Sequence, residues 1–95
     1  MSDVELDVTG AAPSAAPSAL KTLEYIAKSI VEDAASVVVE TAPGRNGQTD
    51  LRLHVGADDM GRIIGRRGRT AAAIRTVVKA VAAEEGADVF VDIVD

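Results

Sequence analysis

The chain of 95 residues contains no cysteine. Disulfides, thiolate metal sites and a thiol nucleophile are therefore excluded, and the composition fits a reducing compartment. A single histidine, His54, leaves no material for a histidine metal cluster or a Ser-His-Asp triad. Aromatic residues are reduced to Tyr25 and Phe90, so a core must be built from Val, Ile, Leu and Ala. No apolar run is long enough to cross a bilayer. The start, Met1-Ser2-Asp3-Val4-Glu5-Leu6-Asp7, lacks the basic segment and apolar stretch of a signal peptide. These absences point to a soluble cytoplasmic protein with no membrane partner and no cofactor.

What is present is enough for one small domain. Hydrophobic residues make up 47% of the chain, which supplies a core. A net charge of −5 argues against a general nucleic-acid binder. The distribution of charge changes that reading. Arg62, Arg66, Arg67, Arg69, Arg75 and Lys79 lie within residues 57–80, opposed there only by Asp58 and Asp59. That segment is net +4, which leaves −9 on the rest of a chain that totals −5. A local basic patch can grip a polyanion while the acidic remainder limits indiscriminate binding.

Along the chain, residues 1–18 are rich in Ala, Ser, Pro and acid and show no hydrophobic period, which predicts a flexible tail. Ser18 is a candidate N-cap. Leu20, Leu23, Ile26, Ala27, Ile30 and Val31 then recur at helical spacing and predict an amphipathic helix ending near Asp33. Val37-Val38-Val39 predicts a core strand over 36–41. Pro43-Gly44-Arg45-Asn46-Gly47 is a turn with a strong hairpin signal. Leu51, Leu53 and Val55 alternate with Asp50, Arg52 and His54, the mark of a strand with one buried face. Asp58 and Asp59 suit the first turn of a short helix that carries Met60, Ile63 and Ile64 and stops at Gly65. A further helix from Gly68 has Ala71, Ile74, Val77, Val78 and Val81 on its apolar face and Gly86 as terminator. Residues 89–94 read as a closing strand. The order helix, strand, strand, helix, helix, strand predicts an α+β fold in which a three-stranded sheet packs on three helices.

The function is carried by Gly65-Arg66-Arg67-Gly68, a tight turn between two helices. Glycine permits positive φ and puts no Cβ in the way of a ligand. The following helix start offers free N–H groups and a partial positive charge, together a place for a phosphate. Arg66, Arg67 and Arg69 lie at that helix start, where each cation is disfavoured by roughly 0.3–1 kcal/mol. Local rules of stability tend to fail at functional sites, and this mismatch suggests that the loop expects an anion.

Ile64-Gly65-Arg66-Arg67-Gly68, followed by Ala71 and Ile74, resembles the KH signature of isoleucine, glycine, two variable residues and glycine. The element order matches the type II, prokaryotic arrangement. Asp59 to Thr70, with Ala73-Ile74-Arg75 and the closing Val91-Asp92-Ile93-Val94-Asp95, is similar to the small single-domain bacterial KH proteins of the KhpA type. The likeness spans residues 19–95 as a KH domain and leaves out the tail. It implies an RNA-binding protein that clamps the backbone of about four single-stranded nucleotides, acting as an RNA chaperone or post-transcriptional regulator. Gly65, Arg66, Arg67 and Gly68 form the clamp in this reading, Arg62 and Arg69 face phosphates, and Ile64 floors an apolar groove for bases. Val55 and Ala71 are weaker candidates for that floor; Ala71 stands where a larger aliphatic is common. The resemblance also implies a homodimer and pairing with a larger KH-containing protein. The scarcity of aromatics agrees, because RRM and OB modules need exposed stacking residues.

Other readings are weaker. Gly61, Gly65 and Gly68 follow a helix, whereas a dinucleotide loop follows a strand. Gly68 is followed by Arg69-Thr70, not by the Lys-Ser/Thr of a P-loop. His54 reads as a solvent-facing strand residue. Glu84 and Glu85 read as surface acid, and Asp88, Asp92 and Asp95 do not form a catalytic pair. Arg75 and Lys79 are equally a solvated face or an extension of an RNA track. A KH-fold protein-interaction module with a silent loop is the alternative, since fold does not set function. No group of residues suggests an enzyme.

Overall fold

The computed structural model describes residues 16–94. Helix α1 spans Pro17–Ile30, strand β1 Val38–Pro43, strand β2 Thr49–His54, helix α2 Met60–Ile64, helix α3 Arg69–Glu84 and strand β3 Val89–Val94. Single 3₁₀ turns lie at Ala34–Ser36, Arg45–Gly47, Ala57–Asp59 and Arg66–Gly68. The sheet order is β1-β2-β3, antiparallel between β1 and β2 and parallel between β2 and β3. This is the α+β arrangement of three helices on a three-stranded mixed sheet that the sequence predicts. The expected flexible tail covers residues 1–18: residues 1–15 lie outside the described residues, while Pro17 and Ser18 already belong to α1.

Alternation in the strands divides the sheet into two faces. Leu51 and Leu53 of β2 and Val89 and Val91 of β3 are fully buried toward the helices. The other face carries Val38, His54 and Val94 in one row and Glu40, Arg52 and Asp92 in the next. His54 Nε2 lies 2.8 Å from Glu40 Oε1 on this face, so it is a half-exposed surface residue as expected. The Val37–Val39 run is not uniformly core: Val37 is buried and Val38 is 49% exposed, because strand geometry sends neighbours to opposite faces. The hairpin forms around Asn46 (φ 55°, ψ 37°) and Gly47 (φ 80°), the left-handed pair that a tight two-strand turn demands.

The helical layer is built from two stripes at four-residue spacing. Ala19, Leu23 and Ala27 of α1 join Ile74, Val78 and Ala82 of α3 in one core, which Ile63 of α2 completes. Val77 departs from expectation and is 46% exposed, since the packed stripe on α3 runs 71, 74, 78 and 82 and passes beside it. Gly86 ends the segment after α3 at φ 73°.

The start of α1 corrects the reading of Ser18. Ala16 is the N-cap, Pro17 occupies the first turn, and no side chain of α1 caps it. Proline is tolerated there because its missing N–H would have no helical partner. The Ser18 and Ala19 N–H groups donate instead to the Glu85 carboxylate, at 3.1 and 3.3 Å. Glu85 is therefore a capping residue supplied by the far end of α3, not idle surface acid. Burial pushes its carboxyl up, but the donors at Ser18 and Ala19 outweigh this and hold it below the usual range. The contact also sets α1 antiparallel to α3.

Candidate nucleic-acid interface

The loop after α2 is shaped by main-chain conformations that few residues accept. Gly65 has φ 73° and ψ 175°, a region that is essentially restricted to glycine. A Cβ there would lie 2.6 Å from Thr70 Cβ and 3.0 Å from Thr70 N, with Thr70 Oγ1 closer still. Gly65 is thus required twice, by its torsions and by the approach of α3. Arg67 (φ 57°, ψ 25°) and Gly68 (φ 73°, ψ 13°) are both left-handed. Space around Gly68 is open, so only its torsions call for glycine. The Gly65 N–H donates to Gly61 O at 2.9 Å and the Gly68 N–H to Gly65 O at 3.2 Å, which closes the turn.

This backbone aims the turn at solvent. Arg66, Arg67 and Arg69 are exposed, and none of their guanidinium groups has a hydrogen bond or ion pair among the described residues. Helix α3 begins with no acidic residue in its first turn and no side-chain cap. Three uncompensated guanidinium groups and the N-terminus of a 16-residue helix therefore face the same solvent. Positive charge gathered without counter-charge at a helix N-terminus favours an oxyanion.

Helix α2 positions the approach to the loop. Ile63 is fully buried and anchors it, while the adjacent Ile64 is 40% exposed beside Gly65. Val55 and Ala71 are buried, so of the three apolar groove candidates Ile64 presents the surface. Arg62 is placed differently from the loop arginines. Its guanidinium reaches Asp59 Oδ1 at 3.1 Å and Glu32 Oε2 at 3.5 Å, so its charge is shared with two carboxylates.

Asp59 is the buried charge behind this approach, 3% exposed. Its oxygens accept from the N–H groups of Glu32 and Asp33, each at 3.1 Å. The Glu32 N–H holds its carboxyl below the usual range; burial opposes this, and the Asp33 N–H and the Arg62 guanidinium add to it. The interaction also fits the end of α1 at Ile30 rather than near Asp33: the Val31 N–H still donates to Ala27 O, and the N–H groups that follow it are taken by Asp59, 27 and 26 residues away in sequence. Asp59 thereby ties α1 to α2 and sets the base of the loop. Sequence reasoning treated it as a helix-dipole acid, and the nearest signal to its real role was the Asp59/Arg62 spacing. Arg75, by sequence equally a solvated residue or part of an RNA track, donates from its Nε to Val91 O of β3 at 3.1 Å. Among the described residues no cluster of His, Cys, Asp and Glu could hold a metal ion, and no helix is long and apolar enough to cross a membrane.

Comparison with known proteins agrees with this geometry. The family described as KhpA/KhpB, KH domain, matches residues 21–93. RNA-binding protein KhpA of Clostridium acetobutylicum is 46% identical over 72 residues, which is 76% of this chain and 95% of that protein. The protein of the same name from Streptomyces coelicolor is 44% identical over 75 residues, covering 79% and 90%. That from Mycobacterium tuberculosis is 40% identical over 73 residues, covering 77% and 86%. Among solved structures, Era in complex with MgGDPNP and nucleotides 1506–1542 of 16S ribosomal RNA matches 98% of this chain with a TM-score of 0.59 and 16% identity. The match spans only 35% of the Era chain and speaks to the fold alone. With the helix order, the mixed sheet and the glycine-bracketed loop all in place, the chain belongs to the KhpA/KhpB family of KH-domain proteins.

Proposed function

We propose that this protein binds single-stranded RNA, with Gly65-Arg66-Arg67-Gly68 clamping the phosphate backbone. The observation that carries the reading is the loop itself: Gly65 is held where a Cβ would strike Thr70, and the three exposed arginines have no partner among the described residues. Stability alone would place acid, not arginine, at the start of α3. Relatives of 40–46% identity are named RNA-binding proteins, which supports the same reading. Arg66, Arg67 and Arg69 contact phosphates, Ile64 supports a base, and Arg62 contributes less because Asp59 and Glu32 already compensate it. One loop offers a small footprint, so affinity is weak and is raised by avidity in a homodimer or beside a larger KH-containing protein. Weak, readily reversed binding of this kind suits action as an RNA chaperone in the cytoplasm.

Protein association is the second reading, favoured by Val38 and Phe90, 49% and 41% exposed on the outer face of the sheet. Fluorescence anisotropy with pools of short single-stranded RNA separates the two. The wild type is expected to bind with a log–log salt slope of about −0.7 per phosphate contact. A folded Arg66→Asp/Arg67→Asp variant is expected to lose binding. Equal binding by both proteins, or none by either, overturns the clamp and turns attention to the sheet face.

A further inference from the structure

Arg75 differs from the loop arginines in being held. Its Nε donates to the main-chain carbonyl of Val91 at 3.1 Å, in a half-buried setting. Neither Nη group has a hydrogen-bond partner among the described residues. The planar fork is therefore pinned at one corner and open at the other two nitrogens. A fork held in a set orientation suits a pair of acceptors presented on one edge.

Its placement relative to the loop is equally specific. Arg75 lies seven residues beyond Gly68, two turns or about 10 Å along α3 on the same side of the helix. Ala72 stands exposed between them, so no bulky side chain rises on the path. Strand β3, which supplies the Val91 carbonyl, is an edge strand of the sheet. A strand of RNA held at the loop and running along α3 meets this fork within the span of about four nucleotides.

We propose that Arg75 is a specificity-determining residue that reads one base through a pair of acceptors, with guanine, by its O6 and N7, as the base selected. The fork of arginine matches that edge in a bidentate way, and adenine offers an amino donor where guanine offers O6. Bases of single-stranded RNA expose this edge to protein. The inference rests on the RNA-binding reading above and adds to it which base is preferred and by which residue. Arg66 and Arg67 supply affinity without regard to sequence, and Arg75 supplies the preference.

The test uses the full chain and oligoadenylate RNA bearing one guanosine, the same RNA with 7-deazaguanosine in its place, and plain oligoadenylate. Wild type is expected to bind the guanosine RNA about tenfold more tightly than either control. Arg75→Lys keeps the charge and loses the fork; it is expected to bind all three within about twofold of each other, with the salt slope unchanged. The 7-deaza comparison needs no mutation, so a wild type that does not discriminate against it overturns the proposal even where a variant folds poorly. A residue that merely clips α3 to β3 would move thermal stability and leave these ratios alone. Equal binding of all three by wild type, or an unchanged guanosine preference in Arg75→Lys, overturns the assignment of Arg75 while RNA binding stands. Binding of none overturns the RNA reading, and this one with it.

Discussion

Replacing Gly65 by alanine tests the reasoning about the loop most directly, because the structure separates its two costs. The first is torsional. Alanine at φ 73°, ψ 175° occupies a region that costs about 1–3 kcal/mol for any residue with a Cβ. The second is steric. The new Cβ would sit 2.6 Å from Thr70 Cβ and 3.0 Å from Thr70 N, at the first turn of α3. Relief requires α3 to shift, and overpacking of this sort costs about 1–3 kcal/mol. Together the substitution is expected to destabilise by about 2–6 kcal/mol. Gly68→Ala is the internal control. It meets open space and costs only what a left-handed residue does, about 1–2 kcal/mol. Urea unfolding followed by circular dichroism gives both values, and the difference between them isolates the contact with Thr70. Thr70→Gly in the Gly65→Ala background removes the clashing side chain and should recover part of the loss, leaving the torsional cost. Equal destabilisation by Gly65→Ala and Gly68→Ala would refute the argument that α3 presses on the loop at Gly65.

Two further outcomes follow from the groups behind the loop. The Asp59 carboxyl is lowered in the folded protein, so its stabilisation is complete above its ordinary value of 3.8 and is lost as pH falls through the lowered folded value. Asp59→Asn should therefore melt earlier than wild type at pH 7, and the gap in Tm should narrow as pH falls below 3.8; a gap that stays constant down to the acid limb would sink this account. Leu23→Ala opens a cavity between α1 and α3 and should cost about 2–5 kcal/mol in the same urea experiment. A loss under about 1 kcal/mol would mean that the two helix stripes do not pack as described.

Much of this fold was legible because its signals are local. Leu51, Leu53 and Val55 alternate, the apolar residues of α1 recur at three and four, and Asn46-Gly47 marks a turn; each depends on residues a few positions apart. The loop was legible for the same reason, since two glycines, two arginines and a helix start lie within a few consecutive residues. The misreadings were of residues whose partners are distant. Ser18 looked like an N-cap, yet its helix is capped from Glu85, 67 residues on. The first helix looked three residues longer than it is, and the N–H groups of Glu32 and Asp33 past its end go to Asp59. Val77 fits the apolar period as well as Val78 does, and only the position of α1 leaves it outside.

The sequence by itself determined the element order, the sided strands and a loop in which glycine permits a turn that arginine then charges. These follow from torsional preference and periodicity, which act between near neighbours. Tertiary structure alone decided which charges remain available. Arg62 is compensated by Asp59 and Glu32, Arg75 is pinned to Val91, and Arg66, Arg67 and Arg69 face solvent. Five arginines in one stretch of sequence thus acquire three different roles, because electrostatic pairing depends on distance in space rather than along the chain.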